Sequence, residues 1–177
     1  MKPYALAAAL LAAATLPLAA QDHSAHCGAH SSSDSDHHSQ VDARGDQVMG
    51  FDHESTTHGF RLTPKGGVIE VAAHDLKDKE TVGAIRSHLE HISKMFAEGD
   101  FDAPMLIHGQ QPPGVDVMKR DRAKIAWEYV ETLRGGRVVA TTEDSSVRDA
   151  IHAFLRFQIE EHRTGDTEDV TEEEATH

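Results

Sequence analysis

The apolar positions of the chain switch from a strand-like to a helix-like period, and then make the same switch again. Val68, Ile69 and Val71 follow Gly66-Gly67, and Trp127, Tyr129, Val138 and Val139 flank Gly135-Gly136. A glycine pair supplies the positive φ of a tight hairpin turn, so each stretch predicts two antiparallel strands. Behind each hairpin the apolar period lengthens to that of a helix. Val82, Ile85, Leu89, Ile92 and Phe96 share one face of a first helix; Val147, Ile151, Phe154, Leu155, Gln158, Ile159 and His162 share a broad face of a second. Asp144 or Ser145 offers the second helix an N-cap, and Gly165 is its expected stop.

These are two copies of one unit. FRLTPKGGVIEVAA with ETVGAIRSHLEHISKMFAEGD corresponds to YVETLRGGRVVATT with SVRDAIHAFLRFQIEEHRTGD. The offset is 69 from Gly66 to Gly135 and 66 from Ala84 to Ala150, and the difference of three fits a longer turn in the first copy. The economical architecture is α+β: an internally duplicated ββαββα, with a four-stranded antiparallel sheet and two helices on one face. Residues 102–122, DAPMLIHGQQPPGVDVMKRDR, join the copies as a long, proline-bearing connection. Long loops in compact domains are often functional.

Composition divides the remainder. Residues 1–20 hold one lysine, an Ala/Leu run and small residues before Gln21, the layout of a signal peptide. The expected location is therefore periplasmic or secreted, with no membrane partner after cleavage. Residues 21–46 are His, Ser, Asp and Gln with hardly any large apolar side chain, and are expected to form a disordered tail. The duplicated domain then spans 47–165, and 166–177 is an acidic tail. A formal net charge of -13 argues against a nucleic-acid partner, because phosphate contacts need Lys or Arg. The single cysteine closes no internal disulfide.

The chemistry lies where the copies differ. His88, His91 and Met95 follow one another at i, i+3 and i+7 on the flank of the first helix, whereas the second copy has Phe154 and Phe157 in place of the two histidines. The scaffold thus does not require imidazole there. His58 stands at the domain's entry, His108 and Met118 in the connection, and His152 at the edge of the second helix's apolar face. His162 lies near the middle of that face, where a neutral core histidine with one hydrogen bond is the expected reading. His23, His26, Cys27 and His30, with His37 and His38, crowd the first tail, a composition that captures metal without prior folding. Imidazole with thioether favours copper, and zinc is the second choice. No HExxH, GxSxG, GxxxxGKS or GxGxxG occurs, so any catalysis would have to come from a metal.

The strings HLEHISKMFAEGDFDAPMLIHG, PPGVDVMK and AIHAFLRFQIEEHRTGD, within Met49 to Asp166, resemble a family of small, mostly uncharacterised exported bacterial proteins. The resemblance covers about two thirds of the chain and implies a shared domain without a settled activity. Some relatives carry an aspartate carbamoyltransferase label; this chain is too short for that two-domain enzyme and lacks its Ser-Thr-Arg-Thr phosphate loop. The leading expectation is a periplasmic metal-binding protein, copper first, whose tail gathers the ion for a His/Met site in the domain, in homeostasis, storage or delivery to a metal-handling protein. One alternative is a copper-dependent oxidoreductase with a small-molecule substrate such as an aldehyde. Another is a structural or interaction module with an incidental tail.

Overall fold

The computed structural model describes residues 30–172, with side chains from residue 36 onward. The expected signal peptide, the stretch holding His23, His26 and Cys27, and residues 173–177 lie outside the described residues. Two hairpins, β1 (Thr56–Thr63) with β2 (Gly66–Ala73) and β3 (Ala126–Thr132) with β4 (Gly135–Thr141), form one antiparallel sheet in the order β1-β2-β4-β3. Phe60 pairs with Ile69 and Tyr129 with Val138, so the step of 69 holds in the register as it does in the sequence. The fold is the duplicated α+β arrangement that the periodicity predicts.

Helix α2 (Lys79–Glu98) starts at Asp78, whose carboxylate accepts from Thr81 N, and ends at left-handed Gly99. Helix α5 (Ser145–His162) starts at Asp144, which accepts from Ser146 N and Val147 N. It stops at Arg163, which takes the left-handed conformation at φ 49°, two residues before the expected Gly165. The helices are exchanged between the copies: α2 lies mainly on β3 and β4, and α5 on β1 and β2. Gly67 makes the second contact possible, because a Cβ there would run into the Leu155 side chain and the Arg61 carbonyl.

The connection is not a loop. Residues 102–122 contain two short helices, α3 (Asp102–His108) and α4 (Val115–Arg120), which bury Ala103, Pro104, Ile107, Val115 and Met118. Phe101, Val115 and Met118 are fully buried, so burial orders a segment whose prolines and glycines suggest irregular chain.

Both expected tails are partly ordered. Helix α1 (His30–Met49) runs through most of the predicted disordered segment. Its own amphipathicity is slight, and tertiary contacts hold it: Val41 is fully buried, Arg44 Nε donates to Ile107 O at 2.6 Å, and His53 N donates to Asp46 at 2.9 Å. Composition counts apolar side chains and misses a helix anchored by Val41, Val48, Met49 and a few hydrogen bonds. At the other end, Asp166 accepts from Phe60 N at 2.8 Å, and Thr171 N donates to Leu62 O at 2.9 Å beside a parallel bridge from Leu62 to Val170. The first half of the acidic tail therefore covers the edge of β1. Among the described residues, no helix is long and apolar enough to cross a membrane.

Because α1 depends on so few anchors, Val41→Asp is expected to undock it while leaving the sheet intact. Hydrogen exchange should then accelerate roughly tenfold or more over residues 36–49, with β2 and β4 amides keeping their protection. Equal acceleration in the sheet would make α1 part of the global folding unit.

Candidate metal centre

Three imidazoles from three elements meet at one cavity of about 70 Å³: His58 on β1, His88 on α2 and His162 on α5. The space lies between the inner face of the sheet and helices α2, α3 and α5, and apolar side chains such as Phe60, Ile92, Ile107 and Phe154 make up most of the wall. His58 and His162 stack with centroids 5.6 Å apart and planes 9° from parallel. Phe51 joins the third ring to them, stacked on His58 at 6.1 Å and edge-on to His88 at 5.7 Å.

The polar atoms of these rings are left open. His58 Nε2 is buried with no hydrogen-bond partner, and among the described residues neither His88 nor His162 has one. Each residue retains some exposure, yet loss of solvent around the ring dominates its titration. Desolvation, then repulsion from His53, pushes His58 down to about 4. Desolvation, then His58 and His91, brings His88 to about 4. Desolvation, then His58 and His108, brings His162 to about 3. All three are neutral at pH 7, the form in which imidazole binds metal.

The duplication supplies an internal control. The strand offset of 69 carries His58 to Trp127, and the helix offset of 66 carries His88 to Phe154 and Phe96 to His162. Trp127, Phe154 and Phe96 form an aromatic cluster, with Phe96 5.0 Å from Trp127 and 6.1 Å from Phe154. The same three positions thus hold core-forming aromatics in one half and imidazoles in the other. Packing alone is satisfied by the aromatics, so the imidazoles call for a chemical explanation.

Beside the triad, His108 Nε2 donates to Gln158 Oε1 at 3.0 Å, and its Nδ1 lies 3.3 Å from Glu161 Oε2. His37 Nε2 reaches the same Glu161 oxygen at 2.8 Å. Burial lowers the His108 pKa, against the opposing effects of Gln158 and Glu161. His58 and His162 also border an open polar groove with Asp42, His53, Thr56, Thr57 and Thr164. There His53 Nδ1 contacts Asp46 at 3.0 Å, and Asp46, Asp52 and His53 are close enough to share one ion. Desolvation opposes protonation of His53, but the Asp46 hydrogen bond and the charges of Asp46, Asp42 and Asp52 prevail and raise its pKa.

Of the residues singled out in the sequence, His58 and His88 line the cavity, and His108 stands next to it, engaged by Gln158 and Glu161. His91 is exposed to solvent. Met118 is fully buried in the main core and serves packing. His152 is buried and donates from Nε2 to Thr63 O at 3.0 Å. His30 opens α1. His162, expected to be a hydrogen-bonded core histidine, instead joins the open triad; its pairing with Phe96 across the helix offset is the sequence signal that marks it. No family model matches the chain, and no match was found among the curated proteins or the solved structures. Fold and site together define a duplicated α+β domain with a buried, neutral imidazole cluster.

Proposed function

We propose that the protein binds a metal ion, copper first, through His58, His88 and His162. The observation that carries this reading is the set of three neutral imidazoles without hydrogen-bond partners, at positions where the other half holds aromatic rings. His58 Nε2 is a buried acceptor with no donor, which is costly, and a metal ion removes that cost. Copper in both oxidation states accepts imidazole, whereas zinc, the second choice, more often recruits a thiolate or carboxylate, and neither lines the cavity. Among the described residues, the donor atoms that lie within 4.8 Å of one another belong to Asp46, Asp52 and His53, beside the groove that His58 and His162 border; those of the triad stand farther apart, so binding one ion there requires its side chains to rotate. Helix α1 leads from the His23, His26, Cys27 and His30 segment to Glu161 and His53 beside the groove, which suits capture by the tail and transfer inward. The role is exported metal homeostasis, storage or delivery, with a metal-handling protein as partner.

The test is elemental analysis of the untagged full chain after dialysis against EDTA, beside the double variant His88→Phe/His162→Phe. About one equivalent of copper should remain on the first, and affinity should fall at least a hundredfold in the second. Because both proteins keep the His-rich segment, equal retention would move the site out of the domain. The cavity beside the triad favours one further reading, copper-dependent oxidation of a small molecule such as an aldehyde; oxygen uptake by the copper-loaded protein with such substrates tests it.

A further inference from the structure

Gln158 sits one turn before His162 on α5, is 5% exposed and lines the same cavity. Its amide is held from one side only. Oε1 accepts from His108 Nε2 at 3.0 Å, while Nε2 is buried and has no partner. The ring that holds it is fixed by packing, edge-on to Phe157 at 5.0 Å and to His162 at 5.1 Å. Helix α3 therefore holds, through His108, an amide on α5 whose NH2 group has nothing to meet among the described residues. Such a group is costly when left unsatisfied, and a leucine would fill its place on an apolar helix face without that cost.

The surroundings define what would satisfy it. No Lys, Arg, Asp or Glu lines the cavity, so a charged guest would be buried without a counter-charge. An apolar cavity of ~150 Å³ accepts benzene, so 70 Å³ accommodates about three or four non-hydrogen atoms. We infer that the cavity binds a small uncharged molecule with an apolar body of about three carbons and one oxygen, and that Gln158 Nε2 donates a hydrogen bond to that oxygen. Its place beside a metal rests on the reading above; the hydrogen bond itself does not. Gln158 is the specificity-determining contact, and His108 positions it.

Propan-2-ol and 2-methylpropane have nearly the same shape and differ by a hydroxyl in place of a methyl group. Both are titrated into the full chain refolded without metal, following the Gln158 side-chain amide by 1H–15N NMR. Propan-2-ol should bind saturably and shift that amide, and 2-methylpropane should leave it in place. Gln158→Leu should weaken propan-2-ol about tenfold while 2-methylpropane binds at least as well as before. If both probes lose affinity alike, or if propan-2-ol leaves the amide unmoved, the inference is overturned; should the variant not fold, the wild-type amide response decides. Copper retention after dialysis against EDTA, measured on the native preparation, separates the two readings. Retained copper without an amide response rejects this inference alone, and an amide response without copper rejects the metal reading alone.

Discussion

Lowering the pH from 7 toward 4 is expected to remove several kcal/mol of stability, with little change above pH 6.5. In the unfolded chain His58, His88 and His162 take up protons near 6.5, whereas in the folded protein they do so only near 4, 4 and 3. Below pH 6.5 the unfolded state therefore binds more protons, and stability falls as pH drops through this window until the folded rings also titrate. A shift of this size is worth about 3 kcal/mol for one ring, and mutual repulsion keeps the three from adding simply. His53 acts in the opposite sense: its raised pKa gives stability that is present below 6.5 and lost as pH rises through the folded value. With its side chain 37% exposed, that contribution is screened and small beside the triad's. Urea midpoints of the metal-free protein at pH 7.5, 6, 5 and 4 measure the slope. His88→Phe/His162→Phe should flatten most of it while preserving the fold, since the other half already packs aromatics at the equivalent positions. An unchanged slope in that variant would place the proton linkage elsewhere.

Gly114→Ala is expected to cost about 3 kcal/mol or more, lowering Tm by roughly 10 °C. Gly114 precedes α4 with φ +82°, a conformation that alanine adopts only under strain. A Cβ there would also strike the carbonyl of Ala150 on α5, and backbone cannot yield as a side-chain tip can. The collision pushes α4 away from α5, the helix that carries Gln158 and His162. Thermal unfolding measures the loss, and copper affinity should fall with it. A drop below about 1 kcal/mol would mean that this contact relaxes freely.

How much of this is legible in the sequence depends on whether local pattern or tertiary contact decides each feature. The long helices are legible because aspartate caps and apolar spacing agree, and the hairpins because the glycine pairs mark them. The turns themselves fall at Pro64-Lys65 and Leu133-Arg134, and the glycines open β2 and β4, with only Gly66 of the four at positive φ. Helix α1 is not, because its order comes from Val41, Arg44 and Asp46 meeting other elements. The helical wheel groups His88 with His91 but cannot say which neighbour covers that flank; α2 lies under the other copy's hairpin, which leaves His91 in solvent. Met118 offers a soft sulfur by composition, and full burial makes it a core residue. Gln158 reads as one polar residue on an apolar face until its unpartnered nitrogen is seen at the cavity.

The exchange of helices between the copies bears on how such a site can exist. A single copy would leave its own hairpin bare and could bury it only by trading helices with a twin, so the chain has the arrangement of a swapped dimer within one polypeptide. In an untethered pair every residue recurs by symmetry, and the assembly would hold two imidazole pockets or two aromatic cores. Fusion lifts that constraint. Trp127, Phe154 and Phe96 hold one half together, and their counterparts His58, His88 and His162 stand on one side only, an asymmetry that two identical copies could not adopt.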